Sequence, residues 1–215
     1  MGMHNCSLTE QEMKWLYQQS LKVTYSKGET IIKQGTFATH VLLLESGLTK
    51  IVIESENKKR MAVEVVTPSS FIGLPFLHPE YFRFTVEAMK ETILRQIRRD
   101  VYSEMMLTRE TTGQRFMDGY GEYYSQLLHK LEINSTRNNH GKLAHVLITL
   151  YEDTYYEEEI FRHLTRRDLS ELAAISREST NKILKELRHD RIIDITREGI
   201  ELKQPDLLRR LSMIG

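Results

Sequence analysis

The chain has 215 residues, of which 40% are hydrophobic and 28% are charged, and its formal net charge is zero. This composition is that of an ordinary globular protein, and the length is enough for one large core or two modest ones. No apolar run approaches the ~20 residues that a membrane-spanning helix needs, so we expect no membrane partner. The opening residues MGMHN lack the apolar core of a secretory signal, and we expect a cytoplasmic location.

Motifs for metal binding and catalysis are missing from the sequence. The single cysteine, Cys6, excludes an internal disulfide and an iron–sulfur cluster held by thiolates. The eight histidines are scattered without ligand spacing, and the chain has no nucleophile elbow, P-loop or HExxH motif. We therefore expect no metal, no cofactor and no enzymatic activity.

The first half of the chain reads as a β-rich domain. The segment SLTE predicts a short first helix, with Ser7 as its cap and Glu10 completing a capping box. From about residue 23 to 97, short β-branched and aromatic runs alternate with turn residues, a pattern typical of an antiparallel barrel or sandwich. We expect glycines at the corners, because glycine adopts the positive φ that such corners need. These glycines are Gly28, Gly35 and Gly47.

After Arg98 the apolar period becomes helical. The residues Phe116, Tyr120, Tyr123 and Leu127 are spaced 4, 3 and 4 apart, which fits either a coiled-coil seam or an ordinary core-facing stripe. The polar segment NSTRNNHG, residues 134–141, predicts a hinge between domains. Beyond it, Leu143 to Leu150 predict an amphipathic helix, followed by an acidic connector at residues 152–159.

Residues 164–193 predict two short helices joined by a tight turn. Thr165 is placed as an N-cap, with Asp168 completing a capping-box pattern, and Ser176 is placed as the N-cap of the second helix. The second helix should bury one apolar stripe, because its members recur at i, i+3, i+4 and i+7. They are Thr180, Ile183, Leu184 and Leu187. Two short strands follow with a turn at Glu198 and Gly199, which makes the motif a winged helix-turn-helix.

The opposite face of the second helix is polar. It carries Arg177, Glu178, Asn181, Lys182, Lys185 and Arg188. Such side chains can pair with guanine, accept a hydrogen bond from cytosine or neutralise phosphates. The alternative is a solvated helix face in an unrelated helical domain.

The order of these parts resembles the CRP/FNR (cyclic-AMP receptor protein and fumarate-nitrate regulator) family. The resemblance rests on KGETIIKQG (27–35) with ESGLTKI (45–51), and on LTRRDLSELAAISRESTNKILKEL (164–187). It implies an α+β fold with an effector-sensing antiparallel β-barrel of the cyclic-nucleotide-binding type over residues 1–110. A dimerisation helix and hinge would follow over 111–134, and a winged helix-turn-helix over 135–215. The implied function is a transcription regulator that binds a palindromic promoter site in double-stranded DNA as a homodimer.

The resemblance also assigns residues to DNA and to the dimer interface. It makes Arg177, Glu178 and Lys182 the base readers, and Lys182 stands where many members have arginine, which has a planar fork for guanine. Phosphate contacts fall to Thr165, Arg166, Ser176 and Ser179, and we add Asn181 and Lys185 from the same polar face. Because members dimerise through the long helix, the stripe Phe116, Tyr120, Tyr123, Leu127 becomes an expected dimer interface.

The resemblance fails at the effector pocket. Nucleotide-binding members begin a phosphate cradle with Gly-Glu and end it with Arg-Ser, whereas here Leu74 follows Gly73 and Phe84 follows Arg83. We therefore expect no tight binding of cyclic AMP. The candidate residues for a small-molecule effector of unassigned identity are Phe71, Gly73, Leu74, Arg83 and Thr85.

Two further expectations concern partners. The acidic connector at residues 152–159 lies near where some family members contact RNA polymerase, so polymerase is an expected partner. The alternative function is a small-molecule sensor that signals through protein contacts without binding DNA. That alternative would be favoured if another part of the chain covered the face that carries Arg177.

Overall fold

The structure, a computed structural model, describes residues 3–4, 8–73, 80–108, 110–152 and 160–214. The chain divides into two compact units. Unit 1 comprises Met1–Glu54 and Val63–Leu128, and unit 2 comprises Ser55–Ala62 and His129–Gly215. The predicted division at residues 110 and 134 is finer, because it treats the long helix as a segment of its own.

Unit 1 contains two antiparallel sheets and helices that precede and follow them. The elements are β1 (Met3–His4), α1 (Glu10–Gln18), β2 (Ser20–Tyr25), β3 (Thr30–Ile32), β4 (His40–Ser46), β5 (Thr49–Glu54), β6 (Arg60–Val66), β7 (Ser70–Ile72), β8 (Thr85–Ala88), β9 (Thr92–Arg98), α2 (Arg99–Thr108) and α3 (Glu110–Thr136). The first three residues of β6 and the last eight of α3 are assigned to unit 2. One sheet has the strand order β1-β7-β4-β9-β2 and the other the order β3-β8-β5-β6. The predicted β architecture is confirmed, but the barrel is open, because no hydrogen-bonded strand pair joins the two sheets among the described residues.

Strand β4 shows how unit 1 builds two cores. Its apolar run is continuous, and successive side chains of a strand point to opposite faces. Val41 and Leu43 lie in one buried cluster with residues of α1, α2 and α3. Leu42 and Leu44 lie in a second cluster with residues of the other sheet. Strand β4 is therefore buried on both faces, which explains why its sequence does not alternate between apolar and polar residues.

The predicted glycine corners are confirmed, and Gly47 is the most constrained. Its φ is +107°, and an added Cβ would lie 2.6 Å from the backbone Cα of Thr92. Gly28 and Gly35 also have positive φ, at +88° each. Any other residue at position 47 would meet both an unfavourable φ and a fixed neighbouring backbone.

A buried carboxylate joins α1 to α3. The predicted cap Ser7 lies outside the described residues, and the structure places the capping box two residues later, with Thr9 as the N-cap and Glu12 as its partner. Glu12 is 5% exposed and accepts hydrogen bonds from Thr112 and from Arg115. Burial by itself raises the pKa of Glu12, but the hydrogen bonds and the Arg115 charge outweigh it and lower that pKa to about 2.

Unit 2 is a small helical bundle with a two-stranded sheet. Its elements are α4 (Asn139–Glu152), α5 (Ile160–His163), α6 (Arg166–Leu172), α7 (Arg177–His189), β10 (Ile193–Thr196), β11 (Gly199–Leu202) and α8 (Pro205–Ile214). The predicted apolar stripe of α4 is buried, with Leu143 and Leu147 both 0% exposed. The predicted hinge is shorter than expected, since only residues 137–138 separate α3 from α4. No described helix is long and apolar enough to cross a bilayer.

Candidate nucleic-acid interface

Helix α6 begins at a complete capping box. The Thr165 hydroxyl accepts a hydrogen bond from the backbone N–H of Asp168, and the Asp168 carboxylate accepts from the backbone N–H and the hydroxyl of Thr165 at 2.7 and 2.6 Å. This is the predicted cap. It also occupies the Thr165 hydroxyl as donor and as acceptor, so a phosphate would have to compete with Asp168 for it.

The turn between α6 and α7 contains a strained residue that the sequence did not reveal. Ala174 has a φ of +53°, in the left-handed region that residues other than glycine rarely adopt. Its backbone N–H donates to the carbonyl of Glu171, and that of Ile175 donates to Ser170 at 3.1 Å. Such a conformation costs about 1–3 kcal/mol, which the hydrogen bonds of the turn offset.

Helix α7 has the two faces that its sequence predicts. Ser176 caps it, because the Ser176 hydroxyl accepts from the backbone N–H of Ser179 at 3.0 Å. The predicted stripe is buried. Its exposures are 0% for Thr180, 2% for Ile183, 1% for Leu184 and 5% for Leu187. Since these residues fix the rotation of α7 about its axis, its polar face must point away from the core.

The predicted base readers lie on this outer face. Arg177, Glu178 and Lys182 are all exposed. Within the described chain, the side chains of Arg177 and Glu178 have no hydrogen-bonded or ion-pair partner, whereas Lys182 Nζ lies 4.0 Å from a Glu186 carboxylate oxygen. A guanidinium, an ammonium and a carboxylate group are thus presented on one side of a rigid, capped helix.

The predicted backbone contacts surround the readers. Lys185 is exposed on α7, and Arg166, in the first turn of α6, donates to the Asn181 side-chain oxygen at 2.9 Å. Ser176 donates from its hydroxyl to that of Ser179 at 3.0 Å. The two helix starts therefore lie side by side, with hydroxyl and guanidinium groups at their edges.

Sequence reasoning missed two residues that border this surface. Asn139 Nδ2 lies 3.5 Å from Ser179 Oγ, and His140 Nε2 lies 2.8 Å from Glu186 Oε2. Both residues fall in the polar segment 134–141, which predicts a hinge. The signal that could have identified them is Asn138, a capping residue type placed directly before them; its side chain accepts from two backbone N–H groups of α4.

The wing is anchored at its turn. Strands β10 and β11 pair from Ile193 with Leu202 to Thr196 with Gly199. Gly199 has a φ of +125°, and a Cβ there would lie 2.7 Å from the backbone of Phe161. Arg162 and Glu198 form an ion pair across the same contact. The turn therefore needs glycine both for its φ and for the close approach of α5.

The effector-pocket candidates are only partly brought together. Arg83 is exposed and lines a cavity of about 860 Å³ together with Gln34, Gly35, Ile53, Glu80, Tyr81 and Phe82. Phe71 belongs instead to the core beside α3, and the Thr85 hydroxyl accepts from the backbone N–H of Gln34. A Cβ added at Gly73 would lie 3.2 Å from the Phe82 ring, while Leu74 lies outside the described residues. No group of three metal-ligating side chains occurs in the described ranges.

Three of the four residues predicted for the dimer interface, Phe116, Tyr120 and Tyr123, pack in or against the core of unit 1. Phe116 is 1% exposed and packs against Phe71 and Tyr102, at 5.3 and 5.6 Å between ring centroids. Burial raises the pKa of Tyr120 to about 12; burial and Glu64 raise the pKa of Tyr123 well above its usual range. Leu127 is half-buried. The expectation is therefore corrected for Phe116, which is a core residue because aromatic rings enclose it.

The exposed apolar side chains of α3 lie one position further along. Met117 is 68% exposed, Tyr124 60%, Leu128 49% and Leu131 58%. Their spacing of 7, 4 and 3 is the heptad spacing of a helix seam. An exposed stripe of this kind is typical of a surface that packs against another chain.

Two family models match the chain. A cyclic nucleotide-binding domain covers residues 22–109, and a Crp-like helix-turn-helix domain covers residues 141–211. The chain belongs to the CRP/FNR family. The CRP/FNR members that it resembles are transcription regulators, and the second family model gives this chain their helix-turn-helix domain.

Individual CRP/FNR relatives agree with this assignment. The transcriptional regulator LdrP of Thermus thermophilus is 23% identical over 173 residues, which are 79% of this chain and 85% of LdrP. The anaerobic regulatory protein of Bacillus subtilis is 24% identical over 197 residues, 88% of this chain and 83% of the relative.

Solved structures share the fold. FixK2 from Bradyrhizobium japonicum superposes with a TM-score of 0.79 at 15% identity, covering 89% of this chain and 96% of FixK2. A transcriptional regulator of the CRP family from Thermus thermophilus gives 0.74 at 19% identity, with coverages of 89% and 96%. At these identities the likeness concerns the fold alone.

Proposed function

We propose that the chain regulates transcription by binding a palindromic DNA site as a homodimer, each copy placing α7 in a major groove. The observation that supports this most strongly is the two-sided helix α7. Its apolar side is buried, and its outer face presents Arg177, Glu178 and Lys182 to solvent. The alternative of a sensor without DNA binding would be favoured if another part of the chain covered that face, and its three readers are exposed.

Base recognition follows from the chemistry of the three readers. Arg177 can donate two parallel hydrogen bonds to guanine, and Glu178 can accept one from the amino group of cytosine. Lys182 is a flexible point donor without a planar fork, so it specifies its base less sharply. Ser176, Ser179 and the N-terminus of α7 offer hydroxyl and backbone N–H donors to phosphates.

The dimer is proposed to form through the exposed stripe of α3. Met117, Tyr124 and Leu128 would pack against the same residues of a second copy, as an isologous two-fold interface requires. A two-fold axis would place the two α7 helices about 34 Å apart, the spacing of two half-sites one helical turn apart.

Tight binding of cyclic AMP is not part of the proposed function. The ring centroids of Phe82 and Phe84 lie 5.6 Å apart. Phe82 is part of the core between the sheets, and Phe84 packs against that core. Phe84 stands where nucleotide-binding members have serine, so a phosphate there would lose a hydroxyl donor and meet an aromatic ring. Arg83 and the cavity that it lines offer a place for another small-molecule effector.

Alanine substitutions on α7 test the DNA-binding proposal. Arg177→Ala should weaken binding to a selected site by about 1–3 kcal/mol and relax the preference at one base pair. Lys185→Ala should weaken binding to all sequences and reduce the slope of log K against log salt by about one. Arg210→Ala on α8 removes the same charge from an exposed position outside the face and is the control. A footprint unchanged by Arg177→Ala would contradict the assignment.

RNA polymerase is proposed as a further partner through the acidic connector. Residues 153–159 lie outside the described residues, and the Glu152 carboxylate accepts a hydrogen bond from Arg209. Replacing Glu157, Glu158 and Glu159 with lysine should reduce transcription from a bound promoter in vitro while leaving DNA affinity unchanged. Unaltered transcription would contradict this partner.

A further inference from the structure

Glu186 is an acidic residue beside the base readers. It lies on α7 one turn after Lys182, and its side chain is 43% exposed. One carboxylate oxygen lies 2.8 Å from His140 Nε2, and the other lies 4.0 Å from Lys182 Nζ. A single carboxylate thus links a histidine of α4 to one of the three base readers.

The backbone of His140 is fixed by the capping residue of α4. It lies in the first turn of α4, where the Asn138 side-chain oxygen accepts from the backbone N–H groups of His140 and Gly141 at 2.9 and 3.0 Å. Its neighbour Asn139 reaches Ser179 on α7. Two consecutive residues of α4 therefore contact α7 at Ser179 and Glu186, positions that are seven residues and about 10 Å apart.

A carboxylate at this position works against general affinity for DNA. The phosphate backbone is an array of negative charges, so an acidic side chain beside the readers weakens binding to every sequence. Lys182, in turn, has a flexible stem and a rotatable ammonium group, and its direction must be set by its surroundings. Glu186 is the nearest described acidic side chain in ion-pair contact with Lys182, and His140 limits where that carboxylate can lie.

We propose that Glu186, anchored by His140, is a specificity-determining positioning residue. It restrains Lys182 over one base pair of the selected site, and its own charge lowers affinity for every sequence, so that only on the selected site does the restraint offset the repulsion. This inference rests on the proposed DNA-binding function. It adds two residues, His140 and Glu186, that act through Lys182 and need not touch a base.

The test compares full-length variants on a selected site and on scrambled DNA over a series of salt concentrations. Glu186→Gln should raise affinity for scrambled DNA about two- to five-fold, the range expected for an exposed charge pair, and lower the ratio of specific to non-specific binding by a similar factor. His140→Ala should also lower that ratio, because the carboxylate is no longer anchored and Lys182 is no longer restrained over one base pair, but it should leave affinity for scrambled DNA near that of the parent, because the Glu186 charge remains. Damage to the fold would lower affinity in both variants.

Combined variants show whether the effect passes through the proposed chain of contacts. In the Glu186→Gln background, His140→Ala should cause no further change. His140→Gln, which keeps an N–H donor near the carboxylate, should behave like the parent. In the Lys182→Ala background, Glu186→Gln should no longer alter the specificity ratio. Asp206→Asn, on α8, makes the same change in net charge and should leave the ratio unchanged.

The outcomes separate this inference from the function on which it rests. If the parent protein selects no DNA sequence, the proposed function fails, and the inference fails with it. If the parent selects a site but Glu186→Gln leaves the specificity ratio unchanged, only the inference is overturned. Additive effects of Lys182→Ala and Glu186→Gln on that ratio would likewise overturn it, because they would show that Glu186 acts by net charge alone.

Discussion

Glu12→Gln should remove the pH dependence of the free energy of unfolding that the buried Glu12 carboxylate causes between α1 and α3. Lowering a carboxyl pKa from 4.5 to about 2 corresponds to about 3 kcal/mol of stability. Because the folded state favours the ionised form, this stability is fully present above about pH 4.5 and is lost as the pH falls towards 2. The variant should therefore be less stable by up to about 3 kcal/mol at pH 7 and nearly equal to the parent at pH 2.

The assay is urea unfolding at a series of pH values, followed by the fluorescence of Trp15. This residue is the only tryptophan in the chain, and it packs against the core cluster that includes Leu16 and Phe116. Glu10→Gln, in the same first turn but exposed, is the matched control and should change little. A difference between parent and Glu12→Gln that stayed constant from pH 7 to pH 2 would refute the reasoning.

Three further substitutions test other parts of the structure. Leu128→Glu should weaken the dimer by at least about 2 kcal/mol, roughly thirty-fold, when measured by sedimentation equilibrium. Gln126→Glu adds the same charge on the other side of α3 and should leave the dimer dissociation constant unchanged. If both substitutions weakened the dimer equally, the interface would not lie on the Leu128 side of α3. Gly47→Ala should destabilise unit 1 by more than the ~1–3 kcal/mol that a strained φ costs, because its Cβ would also overlap the Thr92 backbone; an unchanged urea midpoint would contradict this. Thr165→Ala should lower the free energy of unfolding by about 1 kcal/mol, because it removes the N-cap of α6 and its hydrogen bond to Asp168. An unchanged midpoint of thermal unfolding would contradict this role of Thr165.

Helix α7 was predictable from sequence because its signals are local. The cap Ser176 and the buried stripe at Thr180, Ile183, Leu184 and Leu187 follow from helical periodicity, and burial of that stripe fixes which residues remain outside. The glycine corners were predictable for a similar reason, since a positive φ constrains the residue type directly. The order of sheets, long helix and winged motif followed from the same kind of pattern.

The features that the sequence did not predict depend on contacts between distant segments. The two possible apolar stripes of α3 overlap in sequence, and only the packing of Phe116 against Phe71 and Tyr102 shows which one is internal. The Glu12 network joins residues 100 positions apart. Ala174 has a left-handed φ although it is not a glycine, so the residue type at this position did not indicate the turn. His140 pairs with Glu186 across 46 positions, and no local pattern connects them.

Selection of bound sequences from random DNA, with the full-length protein in the presence and absence of cyclic AMP, tests the proposed function most directly. We expect enrichment of two inverted half-sites with centres about 10 base pairs apart, identical under both conditions. Failure to enrich any sequence would contradict DNA reading by α7. A single half-site would contradict the homodimer, and enrichment that required cyclic AMP would contradict the proposed failure to bind that nucleotide tightly.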